Sequence, residues 1–283
     1  MGEKIEKGSK GIYIPGNKSA VPKLSLLLGK DSFFCIHIDA HQRLTFYRTA
    51  RKSSFKQSVI EWLEESIRLS ELLKESKLEV WVGLIQPHYT FVPVPLYQEE
   101  HRDLYAQRAF YLPLRDATWT DSITTRDYIK VLYEADRELY KMLYQFLPEV
   151  SCTHFLTPLL RRFYEQFGDH NKTLCLANVR GGYLTLAVFV DGKLIFANLF
   201  EWQKDEDIYY YLALMVNQLE LEPNKLVMHL SGEWTPDSDR HKWVRRKFKQ
   251  WKWTHVQNHI FSASVKKHEL QAFQLYDLVS PFL

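Results

Sequence analysis

Two distant stretches of this chain repeat one order of apolar runs and tight turns, and that repetition limits what it can fold into. In the first, LSLLLG (Leu24–Gly29) passes through Gly29-Lys30-Asp31-Ser32 into FFCIHID (Phe33–Asp39), and a turn over Ala40–Arg43 leads into LTFY (Leu44–Tyr47). In the second, TLCLANV (Thr173–Val179) turns at Arg180-Gly181-Gly182 into YLTLAVFV (Tyr183–Val190), which turns at Asp191-Gly192 into KLIFANLF (Lys193–Phe200). Short apolar runs bounded by glycine and aspartate turns are strands, so each stretch reads as a three-stranded meander. Each is followed by a helical period and a further apolar strand: residues 54–74 then Leu78–Leu84, and Asp205–Leu219 then Lys225–Gly232. In the first of these helices Ile60, Leu63 and Ile67 share one face. The expectation is a duplicated βββαβα unit in two α/β lobes, and 283 residues suit two domains.

Residues 87–127 interrupt the first unit. Pro93, Pro95 and Pro113 break a strand-like stretch, a polar helix pattern follows over Gln98–Gln107, and the whole reads as a small inserted subdomain. Alternation resumes with a strand over Asp127–Glu134, a helix over Asp136–Phe146, a strand over Val150–Leu156 and a helix over Thr157–Phe167. A basic helix is expected from about Pro236 to Gln250, and a last helix over His268–Val279. The expected division is a loose tail over 1–20, a first lobe over 21–170 carrying the insert, a second lobe over 171–264, and a helix within 265–283 that packs back on the first lobe.

This order of elements resembles the actin-like ATPase (ribonuclease H-like) superfamily, shared by actin, sugar kinases and the large heat-shock chaperones. The run VWVGLIQPHYTFVPVPLYQEE, with its proline-bearing stretch after a strand, looks like the matching segment of the actin-like assembly proteins of type IV pili and type II secretion. The overall length and FVPVPLY (Phe91–Tyr97) look like a bacterial domain-of-unknown-function family with an actin-like fold.

The resemblance implies that function sits where the meander turns meet, the place where members of the superfamily bind ATP and Mg²⁺; for this chain no cofactor is expected with certainty, and ATP and Mg²⁺ are the candidates. In the superfamily a strand-end Asp holds Mg²⁺ and glycine-flanked amides cradle phosphate. The implied nucleotide-contacting positions are Gly29, Lys30, Asp31 and Ser32 at the first turn and Asn178, Arg180, Gly181 and Gly182 at the second. Ser231 and Gly232 are the implied positions at the adenosine-contacting turn. Here Leu28 and Asn178 stand where carboxylates are expected. Mg²⁺ takes hard oxygen ligands and phosphoryl transfer depends on neutralising charge, so these losses remove the metal platform. The expectation is a degenerate nucleotide site on a module that binds a protein partner, a second copy of the chain among the candidates. The alternative is a Mg²⁺-dependent ATPase that uses Asp31 and Ser32.

Two other strings carry chemistry. RHKWVRRKFKQWKW (Arg240–Trp253) interleaves cations with aromatics, and Arg240, Lys242, Arg245, Arg246 and Lys249 form a patch for an acidic partner or, as a third reading, nucleic acid. Trp243, Lys247 and Trp251 recur at helical spacing, so the same aromatics also suit a buried stripe. His37-Ile38-Asp39-Ala40-His41 has the donor types of a metal site, but its last residues read as a turn. No nucleophile elbow, Walker loop, dinucleotide fingerprint or Cys-x-x-Cys occurs.

Charge and cysteines bound the setting. The 37 basic and 34 acidic residues leave +3, too little to imply nucleic acid or membrane by itself. Apolar runs such as Tyr209–Val216 fall far short of the roughly 20 residues of a spanning helix, so no membrane insertion is expected. Cys35, Cys152 and Cys175 are far apart and odd in number, and the charged start MGEKIEKGSKG has no apolar core, so a soluble cytoplasmic protein is expected.

Overall fold

The computed structural model describes residues 21–41, 43–51, 61, 62, 65, 77–110, 117–123, 128–147, 149–168, 171–254 and 270–283. Strands β1 (Lys23–Leu28), β2 (Ser32–Ile38) and β3 (Leu44–Arg51) form the first meander. Nearly every residue of β1 and β2 is buried, whereas β3 is mostly part-exposed, as its place on the sheet edge dictates. Of the helix expected over 54–74, only Glu61, Trp62 and Glu65 are described; they are helical, and Trp62 packs edge-on against Phe33. Strand β4 (Glu79–Leu84) then pairs parallel to β1.

The insert builds its own sheet. Strand β5 (Tyr89–Pro93), helix α1 (Arg102–Phe110), β6 (Ala117–Ile123) and β7 (Ile129–Ala135) follow, and the strands pair in the order β5-β7-β6. The strand expected over Asp127–Glu134 to resume the alternation is found over Ile129–Ala135, where it is the central strand of the inserted sheet; Asp127 lies outside the described residues. Hydrophobic alternation marks a strand but does not name its neighbour.

Helix α2 (Arg137–Phe146), capped by the Asp136 carboxylate on the Glu138 and Leu139 amides, returns the chain to the first lobe. Strand β8 (Ser151–His154) pairs parallel to β4, and helix α3 (Leu156–Phe167) follows.

The second meander is β9 (Thr173–Arg180), β10 (Tyr183–Val190) and β11 (Lys193–Glu201). Helix α4 (Asp205–Gln218), β12 (Val227–Gly232), helix α5 (Asp239–Lys247) and β13 (Gln250–Trp253) complete it. The sheet orders β3-β2-β1-β4-β8 and β11-β10-β9-β12-β13 are the same order twice. The duplication therefore extends one strand further than the expected unit.

Strand β13 corrects the expected basic helix. That helix ends at Lys247, because Phe248 is extended and Gln250-Trp251-Lys252-Trp253 alternates exposed with half-buried residues. The two-residue period puts both tryptophans against the core.

Residues 272–282 follow as a 3-10 turn (Ala272–Leu275), the short helix α6 (Tyr276–Val279) and a second 3-10 turn (Ser280–Phe282). Helix α6 packs against β1, β2, β12 and α3, so it touches both sheets. The expected tail over 1–20, and His268 at the start of the expected last helix, lie outside the described residues. Among the described residues no helix is long and apolar enough to cross a membrane.

A buried polar cluster ties the insert to the first lobe. Asp121 on β6 accepts hydrogen bonds from the His154 amide at 2.7 Å and the Thr157 hydroxyl at 2.9 Å. The His154 ring donates through Nε2 to the Gln86 carbonyl at 2.8 Å, leaving Nδ1 to accept from the Leu156 amide. Burial pushes the Asp121 carboxyl up to about 6 and holds the His154 imidazole down to about 4.

These two shifts act in opposite directions over one pH window. Between about pH 4 and 6 folded Asp121 keeps a proton that the unfolded chain releases, so its contribution to stability falls as pH rises. Over about pH 4 to 6.5 the unfolded chain protonates His154 and the folded one does not, so that contribution falls as pH drops. Relative to the parent protein, Asp121→Asn should lose stability between pH 7 and 5, and His154→Gln should gain it. Urea denaturation at the two pH values checks this, and shifts of the same sign in both variants contradict it.

Candidate functional site

The two hairpin turns meet face to face. The first is closed by the Gly29 amide on the Ser32 carbonyl at 2.7 Å. The second, Gly181-Gly182, has φ of +58° and +82°, a pair of left-handed residues that suits glycine and the twist of a two-residue hairpin. A Cβ on Gly181 would lie 2.9 Å from the Ser32 hydroxyl and 3.1 Å from the Phe34 ring, so the turns touch. Beside them opens a cleft of ≈ 580 Å³ lined by Lys30, Asp31, Ser32, Gly181 and Gly182, together with Arg51, Glu233 and Arg240. A second cavity of ≈ 560 Å³, between Lys30 and the approach to the insert at Gln86–His88, shares Lys30, Tyr183 and Glu201 with it.

The end of β12 reaches the same place. Gly232 has φ +83°, and a Cβ there would lie 2.1 Å from the Val179 carbonyl, so only glycine lets β12 pass so close to β9. The next residue is thereby turned into the hairpin: the Glu233 amide donates to the Val179 carbonyl, and its carboxylate accepts from the Gly181 amide, both at 2.7 Å.

Below the turns lies a closed polar cluster. Arg180 and Asp277 each have side chains only 1% exposed. The guanidinium donates through Nε at 2.8 Å and Nη2 at 2.7 Å to the two carboxylate oxygens, and Nη2 also reaches the Gln274 carbonyl. Asn178 donates to the Ser231 hydroxyl at 2.9 Å and to Asp277 at 3.2 Å. The Phe34 ring lies against the guanidinium with its centroid 4.7 Å away. Burial alone would lower the pKa of Arg180, but the charge and hydrogen bonds of Asp277 outweigh it and hold the cation charged.

The structure thus brings the first-turn residues and Gly181-Gly182 to one cleft, with Lys30 and Asp31 exposed at the tip. Asn178, Arg180, Ser231 and Gly232 lie buried beneath it. Sequence reasoning missed Glu233, Asp277 and Phe34. Glu233 stands beside the glycine that aims it, whereas Asp277 is 97 residues from Arg180 and has no local signal.

The patch over 240–253 divides. Arg240 is buried, donating to the Glu233 carbonyl at 2.9 Å, pairing with Asp205 at 3.7 Å and lying over Trp202 and Trp234. It is therefore a cleft residue and leaves the expected surface patch. Lys242, Arg245, Arg246 and Lys249 are exposed, the first two paired with Asp239 and Asp237. In the His37–His41 string, Asp39 binds the His41 and Arg43 amides and the Arg43 guanidinium, which caps the turn. His37 faces Thr45 at 2.6 Å.

Mg²⁺ and ATP do not fit these residues. The amide that would cradle phosphate is bonded to a carboxylate, and the strand ends offer Leu28 and Asn178 as non-ligating or neutral groups. The Asp277 carboxylate, beneath the turn, is consumed by a buried guanidinium. Among the described residues no three His, Cys, Asp or Glu side chains are placed to hold a metal ion.

The arrangement of the two sheets defines the actin-like ATPase fold, and solved structures match it. A protein of that fold and of unknown function from Bacteroides thetaiotaomicron VPI-5482 superposes with a TM-score of 0.69 at 22% identity, over 83% of this chain and 91% of that one. A chain of the PilM–PilN type IV pilus biogenesis complex superposes with a TM-score of 0.60 at 12% identity, over 91% and 95%. The family described as "Protein of unknown function (DUF3822)" matches residues 16–251, and the chain belongs to it. No protein with a curated description matches.

Removing one partner of a buried ion pair leaves an uncompensated charge. Asp277→Asn should destabilise the protein by about 3–5 kcal/mol, while the paired change Arg180→Met with Asp277→Leu should recover most of that loss. Denaturant unfolding of the three proteins checks this; a double variant no more stable than Asp277→Asn contradicts it.

Proposed function

We propose that this chain is a protein-binding module, an actin-like framework that holds a partner and does not turn over ATP. The observation that carries the reading is the internal use of the phosphate-facing groups: the Gly181 amide is bonded to Glu233, and Arg180 is locked to Asp277. With the Gly181 amide and the Arg180 cation engaged within the chain, the turn has less left to offer a nucleotide. The neighbour in the PilM–PilN complex is a protein of this fold in a protein complex, which supports the reading by analogy.

The surface of α5 and β13 favours a protein over a nucleic acid. Lys242, Arg245 and Arg246 fall on one face by their three- and four-residue spacing, and Lys249 and Lys252 continue the exposed cations. The nearby rings are already engaged: Arg245 lies over Trp251, Lys247 over Trp243, and Tyr209 stacks on Trp243 at 4.7 Å. Bases need free ring faces to stack on, whereas an acidic protein segment needs only the cations. We place the lobe boundary near residue 170, between the duplicated sheets, and the chain in the cytoplasm, where its three free thiols would stay reduced.

Thermal melting with and without ATP, each with and without Mg²⁺, tests the proposal. A ligand present at about 100 times its dissociation constant adds about 2.7 kcal/mol, which is readily seen. The four melting temperatures should coincide. A Mg²⁺-dependent rise with ATP contradicts the reading.

A further inference from the structure

The position of the Glu233 carboxylate says more than that the turn is closed. A two-residue glycine turn presents backbone amides outward, and such a concavity favours an anion. Here the anion is supplied by the chain. Gly232 brings the end of β12 against β9, the Glu233 amide anchors on Val179, and the carboxylate lands 2.7 Å from the Gly181 amide. The Ser32 hydroxyl, beside the same turn and on a residue only 4% exposed, has no hydrogen-bond partner among the described residues. Gly182 has open space where a side chain would stand, and Lys30, Arg51 and Arg240 line the cleft outside.

We propose that Glu233 is an internal ligand of an oxyanion site made by the Gly181-Gly182 turn and Ser32, and that it holds that site shut. The ligand class is a tetrahedral oxyanion, with inorganic phosphate the simplest member. The inference rests on the reading that the native turn does not take nucleotide, and adds that one side chain enforces it. A carboxylate reaching the amide from within the chain is at high effective concentration, so a free anion must displace it to bind. Without that carboxylate, the Gly181 amide loses its acceptor beside the buried Ser32 hydroxyl, at the edge of a cleft whose exposed cations are Lys30 and Arg51. No metal is needed, because the charge is met by the cations and the turn.

Glu233→Ala, Glu233→Gln and the parent protein are compared by thermal melting in inorganic phosphate, against sodium chloride of equal ionic strength. In tens of millimolar phosphate Glu233→Ala should gain about 2–4 °C. The parent should stay flat, and Glu233→Gln should respond less than Glu233→Ala, since its amide oxygen still accepts from Gly181. Amide NMR gives a second readout: the Gly181 proton should move upfield in Glu233→Gln, and phosphate should shift Gly181 and Gly182 in Glu233→Ala. If Glu233→Ala does not fold, an unmoved Gly181 proton in Glu233→Gln overturns the proposal. A folded Glu233→Ala that ignores phosphate also overturns it. Those failures leave the parent's indifference to ATP intact, while a parent that binds ATP with Mg²⁺ overturns the proposed function itself.

Discussion

The ion pair between Arg180 and Asp277 is the contact on which the centre of this molecule depends. A guanidinium and a carboxylate removed from water are tolerated only when nearly every donor and acceptor is met, and here they are met bidentately, by Asn178 and by the Gln274 carbonyl. The pair fixes residues 272–282 beneath the turns, and from there Tyr276 reaches Gln166 while the Phe282 carbonyl accepts from Lys23. One short segment thereby fastens β1, α3 and β9, drawn from both sheets.

That fastening explains the unusual charge at the turns. In the fold this chain resembles, the strand ends carry carboxylates for Mg²⁺ and the turn amides face phosphate. Here the strand ends carry Leu28 and Asn178, a cation points inward, and a carboxylate sits on the amide. The turn therefore carries a carboxylate on its Gly181 amide and a cation beneath it. Asn178, Arg180 and Glu233, which lie at and beneath the turns, hydrogen-bond within the chain, and that network adds rigidity where the two sheets meet.

Much of this was legible in the sequence because most strands of both meanders are short apolar runs, and three of the four meander turns hold a glycine. Those signals are local, and the two hairpins stand where the runs of Leu24–Asp39 and Thr173–Val190 put them. What was hidden depended on contacts far apart along the chain. Strand β7 shows an apolar run but not that β5 and β6 flank it, and β13 is four residues of which Trp251 also continues the helical spacing of Trp243 and Lys247. Gly232 was visible as a turn residue, yet its φ of +83° and its closeness to Val179 are what make Glu233 matter. Asp277 carries no local mark at all; its role exists only because β9 and α6 are adjacent in space.

Hydrogen–deuterium exchange at Gly29–Ser32, Arg180–Tyr183 and 272–282, with and without saturating ATP and Mg²⁺, tests the central claim most directly. The account requires slow exchange at Arg180 and through 276–280 in the free protein, and no change at either turn when nucleotide is added. Rapid exchange through 276–280, or new protection at both turns with ATP and Mg²⁺, would show that the ion pair is no clamp and that the turns still serve a nucleotide.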